Sequence, residues 1–88
     1  MTRMDLNIKV EALNKQYQNP EPVVFETCPN KFSSFPDRPT VLAQYFDETP
    51  DCILSQQLVA WLTSQSVCFH YEICNDYYTE LEAEVEVE

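Results

Sequence analysis

Cysteine and histidine are the first candidates for chemistry in this chain, because thiolates and imidazoles bind zinc and serve as nucleophiles and bases. Cys68, His70 and Cys74 lie close together in the sequence, and Cys28 and Cys52 precede them. Their spacing does not include the Cys-x-x-Cys pair of common zinc sites, and no glycine-rich turn supports a Cys-His nucleophile. We therefore expect free thiols, with neither metal nor cofactor. A small metal or redox protein is kept as one alternative.

Paired carboxylates could supply a general acid and a general base, and Glu80 and Glu82 have the spacing of neighbours on one strand face. An open strand offers no cleft in which to separate the two pKa values, so this pair is not predicted to be catalytic. The chain also has no glycine, which excludes the phosphate-binding loops that need it. We expect no catalytic residues and a protein that is not an enzyme.

The first ten residues carry scattered charges and amides and contain no apolar run. This pattern is typical of neither a signal peptide nor a membrane anchor. We therefore expect a cytoplasmic protein, in the host cytoplasm if the source is viral, and cysteines that stay reduced.

The net charge of −10 is concentrated in the second half of the sequence. Residues 1–38 contain five basic and five acidic side chains, whereas residues 40–88 contain ten acidic side chains and no lysine or arginine. Such a region repels nucleic acid and anionic membranes and accelerates the approach of a basic protein. Solubility alone does not require it, since a small domain is soluble at a net charge of magnitude about 2 to 8 with both signs mixed.

The first element is predicted to be a helix. Apolar residues recur at helical spacing over residues 5–18, after a cap at Asp5. Alternation of apolar and polar residues over 6–10 is the competing pattern, and it would indicate a strand instead.

Two strands are predicted next, over residues 23–28 and 40–46, where β-branched and aromatic residues are enriched. The segment between them, residues 29–39, contains three prolines and is predicted to be a loop. We expect Phe32 and Phe35 to anchor this loop to the core.

The clearest element is a helix over residues 50–65. Thr49 suits the N-cap, Pro50 suits the first helical position, and Asp51 suits the positive end of the helix dipole. An apolar stripe that includes Trp61 runs along this segment and is expected to face the core.

A C-terminal acidic β-hairpin is predicted from two segments that alternate at period two, residues 67–74 and 81–88. Burial of both apolar faces requires odd residues to pair with odd residues, such as Tyr71 with Leu81 and Phe69 with Ala83. Residues 1–88 are therefore predicted to form a single α+β domain, with about four mainly antiparallel strands and two helices packed on one face.

The other face of the hairpin then places Glu72 opposite Glu80, a like-charge pair that destabilises a sheet by roughly 0.2 to 1 kcal/mol. One strand of glutamates has about a quarter of the charge per unit length of duplex DNA. Imitation of nucleic acid would therefore need the other acids of the second half, or a second copy through homodimerisation. The predicted partner-binding residues are Asp47, Glu48, Asp51, Glu72, Asp76, Tyr78, Glu80, Glu82, Glu84, Glu86 and Glu88.

Two other interpretations of these acids remain open. Residues 82–88 could be a solvated, frayed acidic tail, and the acids at 47–51 could serve only the N-terminus of the helix.

In size and charge alone, the chain resembles the acidic nucleic-acid mimics that phages make against host enzymes. The resemblance implies an inhibitor that occupies the basic nucleic-acid-binding surface of a target protein, as an anti-CRISPR or anti-restriction protein does. The alternative is an acidic interaction module, such as an antitoxin or adaptor, whose basic partner does not bind nucleic acid. Neither hypothesis involves direct binding to nucleic acid or to a membrane.

Overall fold

The computed structural model describes residues 1–75 and 78–86, which form an α+β domain. Two helices, α1 (Arg3–Tyr17) and α2 (Ile53–Ser64), pack on one face of a four-stranded antiparallel sheet. The strands are β1 (Glu26–Thr27), β2 (Thr40–Phe46), β3 (Phe69–Ile73) and β4 (Tyr78–Glu84). The predicted fold class is confirmed. Their order is β1-β2-β4-β3, so the acidic strand β4 is central and β3 is an edge.

Helix α1 begins with a capping box, three residues before the predicted cap. The Thr2 hydroxyl accepts a hydrogen bond from the Asp5 amide at 3.1 Å, and the Asp5 carboxylate accepts one from the Thr2 amide at 3.4 Å. Thr2 is therefore the N-cap, and Asp5 lies in the first turn. Leu6, Val10 and Leu13 are buried along one side of the helix, so the helical pattern rather than the alternating one holds here.

The hairpin has the predicted register, with Tyr71 opposite Leu81 and Phe69 opposite Ala83. Odd-numbered residues of β2, β3 and β4 face the helices and build the core. Since side chains alternate along a strand, the even-numbered residues point to the opposite face, which neither helix covers. The buried core residues are Leu6, Val10, Leu13, Val23, Phe25, Val41, Ala43, Tyr45, Leu54, Leu58, Leu62, Leu81, Ala83 and Val85.

The chain is kinked before α2, so this helix begins three residues later than predicted. Pro50–Cys52 forms a 3-10 turn, in which Asp51 and Cys52 have positive φ angles of 55° and 53°. These conformations are unfavourable for residues other than glycine, because Cβ approaches the following carbonyl oxygen. Trp61 packs against the core but is only half-buried.

The proline-rich segment 29–39 is a loop, as predicted, except for one 3-10 turn at Asn30–Phe32. The expectation that Phe32 anchors the loop is wrong, since its side chain is 70% exposed, whereas Phe35 is half-buried. The strand predicted over residues 23–28 is paired only at β1. Neither described helix has the length and apolar character that a membrane span requires.

Candidate partner-binding site

Four of the predicted partner-binding glutamates share the face of the sheet that the helices leave uncovered, which we call the open face. Glu72 projects from β3, and Glu80, Glu82 and Glu84 project from β4, because residues two apart on a strand share a face. Their environments differ, however, because the 29–39 loop covers part of this face.

Glu82 is buried beneath that loop, with only 2% of its surface exposed. Its carboxylate accepts hydrogen bonds from the Ser33 hydroxyl, from the Thr40 hydroxyl at 2.6 Å and from the Ser34 amide at 2.8 Å. Burial by itself would raise the pKa of Glu82, but these hydrogen bonds outweigh burial and lower the pKa. Glu82 thus links the loop to the sheet through hydrogen bonds. Because it is buried, it is not part of the surface that was predicted to bind a partner.

Asp47 is likewise 2% exposed and serves the N-terminus of α2. Its carboxylate accepts hydrogen bonds from the Thr49 and Ser55 amides, both at 3.0 Å, and from both hydroxyls. Burial by itself would raise the pKa of Asp47, but these bonds outweigh it and lower the pKa. Contrary to the prediction, Thr49 is not the N-cap of α2, since that position is Cys52, but its hydroxyl accepts from the Leu54 amide in the first turn of the helix at 3.1 Å. Asp47 is therefore a structural residue too.

Glu84 and Glu86 are engaged by the chain's own cationic groups. Arg38 Nη1 lies 3.2 Å from Glu84 Oε2, and the terminal ammonium of Met1 lies 3.0 Å from Glu86 Oε1. The Glu86 amide also donates to the Met1 carbonyl at 3.0 Å, and Val85 is buried. The chain is thus held in place as far as Glu86, and the charges of these two glutamates are partly neutralised.

Glu72 and Glu80 form what we call the acidic pair of the open face, in which Glu72 is exposed and Glu80 is half-buried. They lie directly opposite each other on neighbouring strands. Gln44 Nε2 donates to Glu80 Oε1 at 2.8 Å, and His70 Nε2 lies 3.4 Å from Glu72 Oε2. In the described chain, neither glutamate forms an ion pair with lysine or arginine. An oxygen of each carboxylate and the Cys74 sulfur lie within 4.8 Å of one another.

An open groove of about 790 Å³ lies on this face, between the segment from Glu21 to Phe32 and the sheet. We call it the acidic groove. None of its lining residues, all of them in the described part of the chain, is a lysine or arginine. Two of its apolar side chains are well exposed, Val24 at 59% and Phe32 at 70%. The groove therefore combines negative charge with apolar surface. Its accessible carboxylates belong to Glu21, Glu26 and Glu72, which are exposed, and to Glu80, which is half-buried.

The groove carboxylates and Arg38 lie at different positions along the sheet. Arg38 contacts Glu84, which lies opposite Thr40 at the start of β2. Glu80 lies opposite Gln44, near the end of β2. At about 3.3 Å per residue, these two positions are about 13 Å apart, which exceeds the Debye length at physiological salt. Arg38 thus hardly offsets the charge of the acidic pair.

The remaining predicted binding residues lie outside the acidic groove. Glu48 and Asp51 are exposed in a separate depression beside the start of α2, which Ile73 also lines. Tyr78 is half-buried and packs on Phe46, with ring centroids 4.9 Å apart. Two predicted residues lie outside the described part of the chain, Asp76 and Glu88.

The cysteines do not assemble into the zinc site considered from the sequence. Cys28 and Cys52 are buried, while Cys68 and Cys74 are exposed, and all four are free thiols. Burial raises the pKa of the Cys28 and Cys52 thiols, and nearby carboxylates raise it further. Arg38 donates to Cys68 Sγ at 2.8 Å. Within the described residues, the Cys/His set is not brought together.

Sequence reasoning missed Glu21 and Glu26 as members of the site. Both lie in the half of the chain that carries no net charge, so the charge distribution did not indicate them. Glu26 pairs with Leu42, which brings it to the open face. The Glu21 carboxylate accepts from the Phe46 amide at 3.2 Å, which fixes it beside the sheet. In the sequence, Val24 and Glu26 occupy alternate positions of the strand predicted over residues 23–28. This alternation was the signal that could have indicated a shared, exposed strand face.

Comparisons with protein-family models, with curated proteins and with solved structures found no match to this chain. The function is therefore argued from the acidic groove and from the distribution of charge.

Proposed function

We propose that this protein is an acidic inhibitor, which binds the basic nucleic-acid-binding surface of a target protein and thereby excludes the nucleic acid. The observation that carries the proposal is the acidic groove, in which Glu21, Glu26 and Glu72 are exposed, Glu80 is half-buried, and no lysine or arginine is among the described lining residues. The proposal assigns no catalytic step to the protein. A cytoplasmic enzyme of a phage host is the kind of target that it implies.

The direct opposition of two like charges supports binding rather than solubility. Glu72 and Glu80 lie opposite each other on paired strands, where their opposition costs roughly 0.2 to 1 kcal/mol of folding stability. A basic partner would reverse that cost by neutralising both charges.

The dimensions of the molecule also suit a nucleic-acid channel. Its longest extent is 34 Å, and one turn of duplex DNA extends about 34 to 36 Å. That turn carries about 20 phosphate charges, against a net charge of −10 here. The whole molecule therefore carries about half of the charge of that turn, and the acidic groove carries part of it.

Competition with nucleic acid tests the proposal. The protein is immobilised and exposed to a nuclease-treated lysate, and the captured proteins are challenged with excess duplex DNA or RNA. We expect the nucleic acid to release them, and we expect retention to weaken steeply as salt rises, because screening weakens exposed charge contacts. Capture that persists in excess nucleic acid would contradict the proposal and favour an adaptor or antitoxin.

The specificity of that capture is controlled with a double variant, Glu72→Gln with Glu80→Gln. Both side chains belong to the acidic pair, and glutamine keeps their size. Proteins that this variant retains as well as the native protein does bind outside the acidic pair, and their displacement by nucleic acid is scored separately.

A further inference from the structure

We propose that the acidic groove receives an extended, arginine-containing segment of the target protein, with one guanidinium bound between Glu72 and Glu80. This inference rests on the proposed function, and it identifies the surface that binds and the partner side chain that enters it.

The geometry of the pair suits a guanidinium group. Glu72 and Glu80 face each other across two strands, with carboxylate oxygens within 4.8 Å of one another. One oxygen of Glu80 already accepts from Gln44, and one oxygen of Glu72 lies near His70. The other oxygen of each has no hydrogen-bond donor in the described chain. A planar guanidinium can donate to both at about 2.7 to 2.9 Å, whereas a lysine ammonium lacks the fork that spans two carboxylates.

The apolar part of the groove indicates that apolar side chains must flank the arginine in the bound segment. Val24 and Phe32 are exposed on one wall, and Leu42 is half-buried on the sheet. Side chains of an extended segment point alternately to opposite sides, so such a segment can direct arginine to the sheet and apolar groups to the wall. The groove volume of about 790 Å³ lies within the range of about 300 to 1,000 Å³ that is typical of ligand pockets. It holds a short segment.

Electrostatic repulsion argues against a second copy of this chain as the occupant of the groove. Two open faces brought together would oppose the same unneutralised carboxylates, and each molecule carries a net charge of −10. Like charges placed face to face across an interface cost several kcal/mol. A cationic polypeptide is the complementary partner.

The probe is a capped seven-residue peptide that alternates valine and arginine, titrated into the complete, isotope-labelled protein at low salt. Calorimetry gives the affinity, and amide chemical shifts locate the site. We expect shifts at Val24, Leu42, Glu72 and Glu80, and weaker binding of the same peptide with lysine in place of arginine.

Two double variants, each of which removes two negative charges, distinguish binding in the groove from attraction by the net charge of the protein. Glu72→Gln with Glu80→Gln should weaken peptide binding by about tenfold or more, because hydrogen bonds to charged groups contribute about 1.5 to 3 kcal/mol. Glu48→Gln with Asp51→Asn removes two charges outside the groove and should weaken it by less than about threefold, since only screened long-range attraction is lost. Phe32→Ala should weaken binding with no change of charge.

Equal losses in the two double variants would overturn the groove assignment, as would amide shifts confined to the start of α2. A dimer of the free protein that dissociates in the Glu72→Gln, Glu80→Gln variant would overturn it too, because the groove would then hold a second copy. Apart from Glu80, which is half-buried, all variants carry changes at exposed positions, and their amide spectra verify the fold.

The two proposals can fail separately. If the peptide does not bind while nucleic acid still displaces a captured target, the groove inference is overturned and the proposed function stands. If the peptide binds in the groove but the target persists in excess nucleic acid, the groove inference stands and the proposed function is wrong.

Discussion

Replacement of Glu82 by glutamine should destabilise the protein strongly, whereas the same replacement at Glu80, two residues away on the same strand face, should not. The two glutamates differ in burial and in hydrogen bonding. Glu82 is 2% exposed and accepts three hydrogen bonds from the loop and from β2. Glu80 accepts one from Gln44 in a solvated groove.

The magnitude follows from the acceptors that the change removes. Oε2 of Glu82 accepts from the Ser33 and Thr40 hydroxyls, and Oε1 accepts from the Ser34 amide. Glutamine retains one oxygen and replaces the other by a donor, so both hydroxyls must reorient. Hydrogen bonds to charged groups contribute about 1.5 to 3 kcal/mol each, and reorientation recovers part of this, so we expect a loss of about 2 to 4 kcal/mol. For a domain of this size, the melting temperature should fall by roughly 10 to 25 °C.

Glu80→Gln is the matched control. It removes one charge from the directly opposed pair with Glu72, which relieves a repulsion of roughly 0.2 to 1 kcal/mol. Its side-chain oxygen can still accept from Gln44. We therefore expect stability that is unchanged or slightly increased.

Urea unfolding measures both variants. Trp61 is the single tryptophan and packs against the core, so its fluorescence reports unfolding, and far-UV circular dichroism provides a second probe. The usual effect of a surface substitution is within about 0.5 kcal/mol. If the changes in unfolding free energy of Glu82→Gln and Glu80→Gln agree within that amount, the structural role of Glu82 is refuted.

Three further predictions concern stability and thiol reactivity. The pKa values of Asp47 and Glu82 are lowered in the folded protein, so their stabilising contribution is complete above the ordinary carboxyl pKa of about 4 and is lost as pH falls through the folded values. Urea midpoints should therefore fall on acidification towards pH 3, less so in Glu82→Gln, and a midpoint that is constant with pH would contradict this. Since Asp51 has a positive φ of 55°, Asp51→Gly should be more stable than Asp51→Ala by about 1 kcal/mol in the same urea assay, and the reverse order would argue against that backbone. Iodoacetamide should modify the exposed thiols in the native protein and the buried thiols only after unfolding, which mass spectrometry can follow, and uniform labelling would contradict the burial. The exposed thiols are Cys68 and Cys74, and the buried ones are Cys28 and Cys52.

The burial of Glu82 affects how the proposed function must be tested. A variant in which every glutamate of β4 becomes glutamine would lose the hydrogen bonds that hold the 29–39 loop. Such a variant would lose binding through misfolding, whether or not β4 contacts a partner. The acidic pair, Glu72 and Glu80, accepts no hydrogen bond from that loop, whose residues the structure describes in full, and can be changed without this effect, so it is the appropriate target.

The set of acidic residues proposed to bind a partner is smaller than the charge of the second half of the sequence suggested. Glu82 and Asp47 stabilise the fold, and Glu84 is paired with Arg38. Glu21 and Glu26, from the neutral half, join Glu72 and Glu80 in the groove. The proposed binding surface is thus a set of carboxylates from three separate segments of the chain rather than one acidic strand.

The sequence by itself determined the local elements and the hairpin register. Period-two alternation on both strands requires odd-numbered residues to pair with odd-numbered residues, and the observed pairing of Tyr71 with Leu81 meets this requirement. Helical spacing likewise identified α1 and α2, because each must bury one apolar side. The exact start of α2 was not predictable in this way, since two residues with positive φ interrupt it.

Only the tertiary structure decided which acids are exposed. The sequence indicates that Glu80 and Glu82 share a strand face, and it gives no physical reason to distinguish them. Pairing of β2 with β4 places Thr40 and the 29–39 loop over Glu82 and leaves Glu80 in the groove. Charge is a property of each residue, but burial and hydrogen bonding depend on segments far apart in the chain. The acidic character was therefore readable from composition, whereas the site was not.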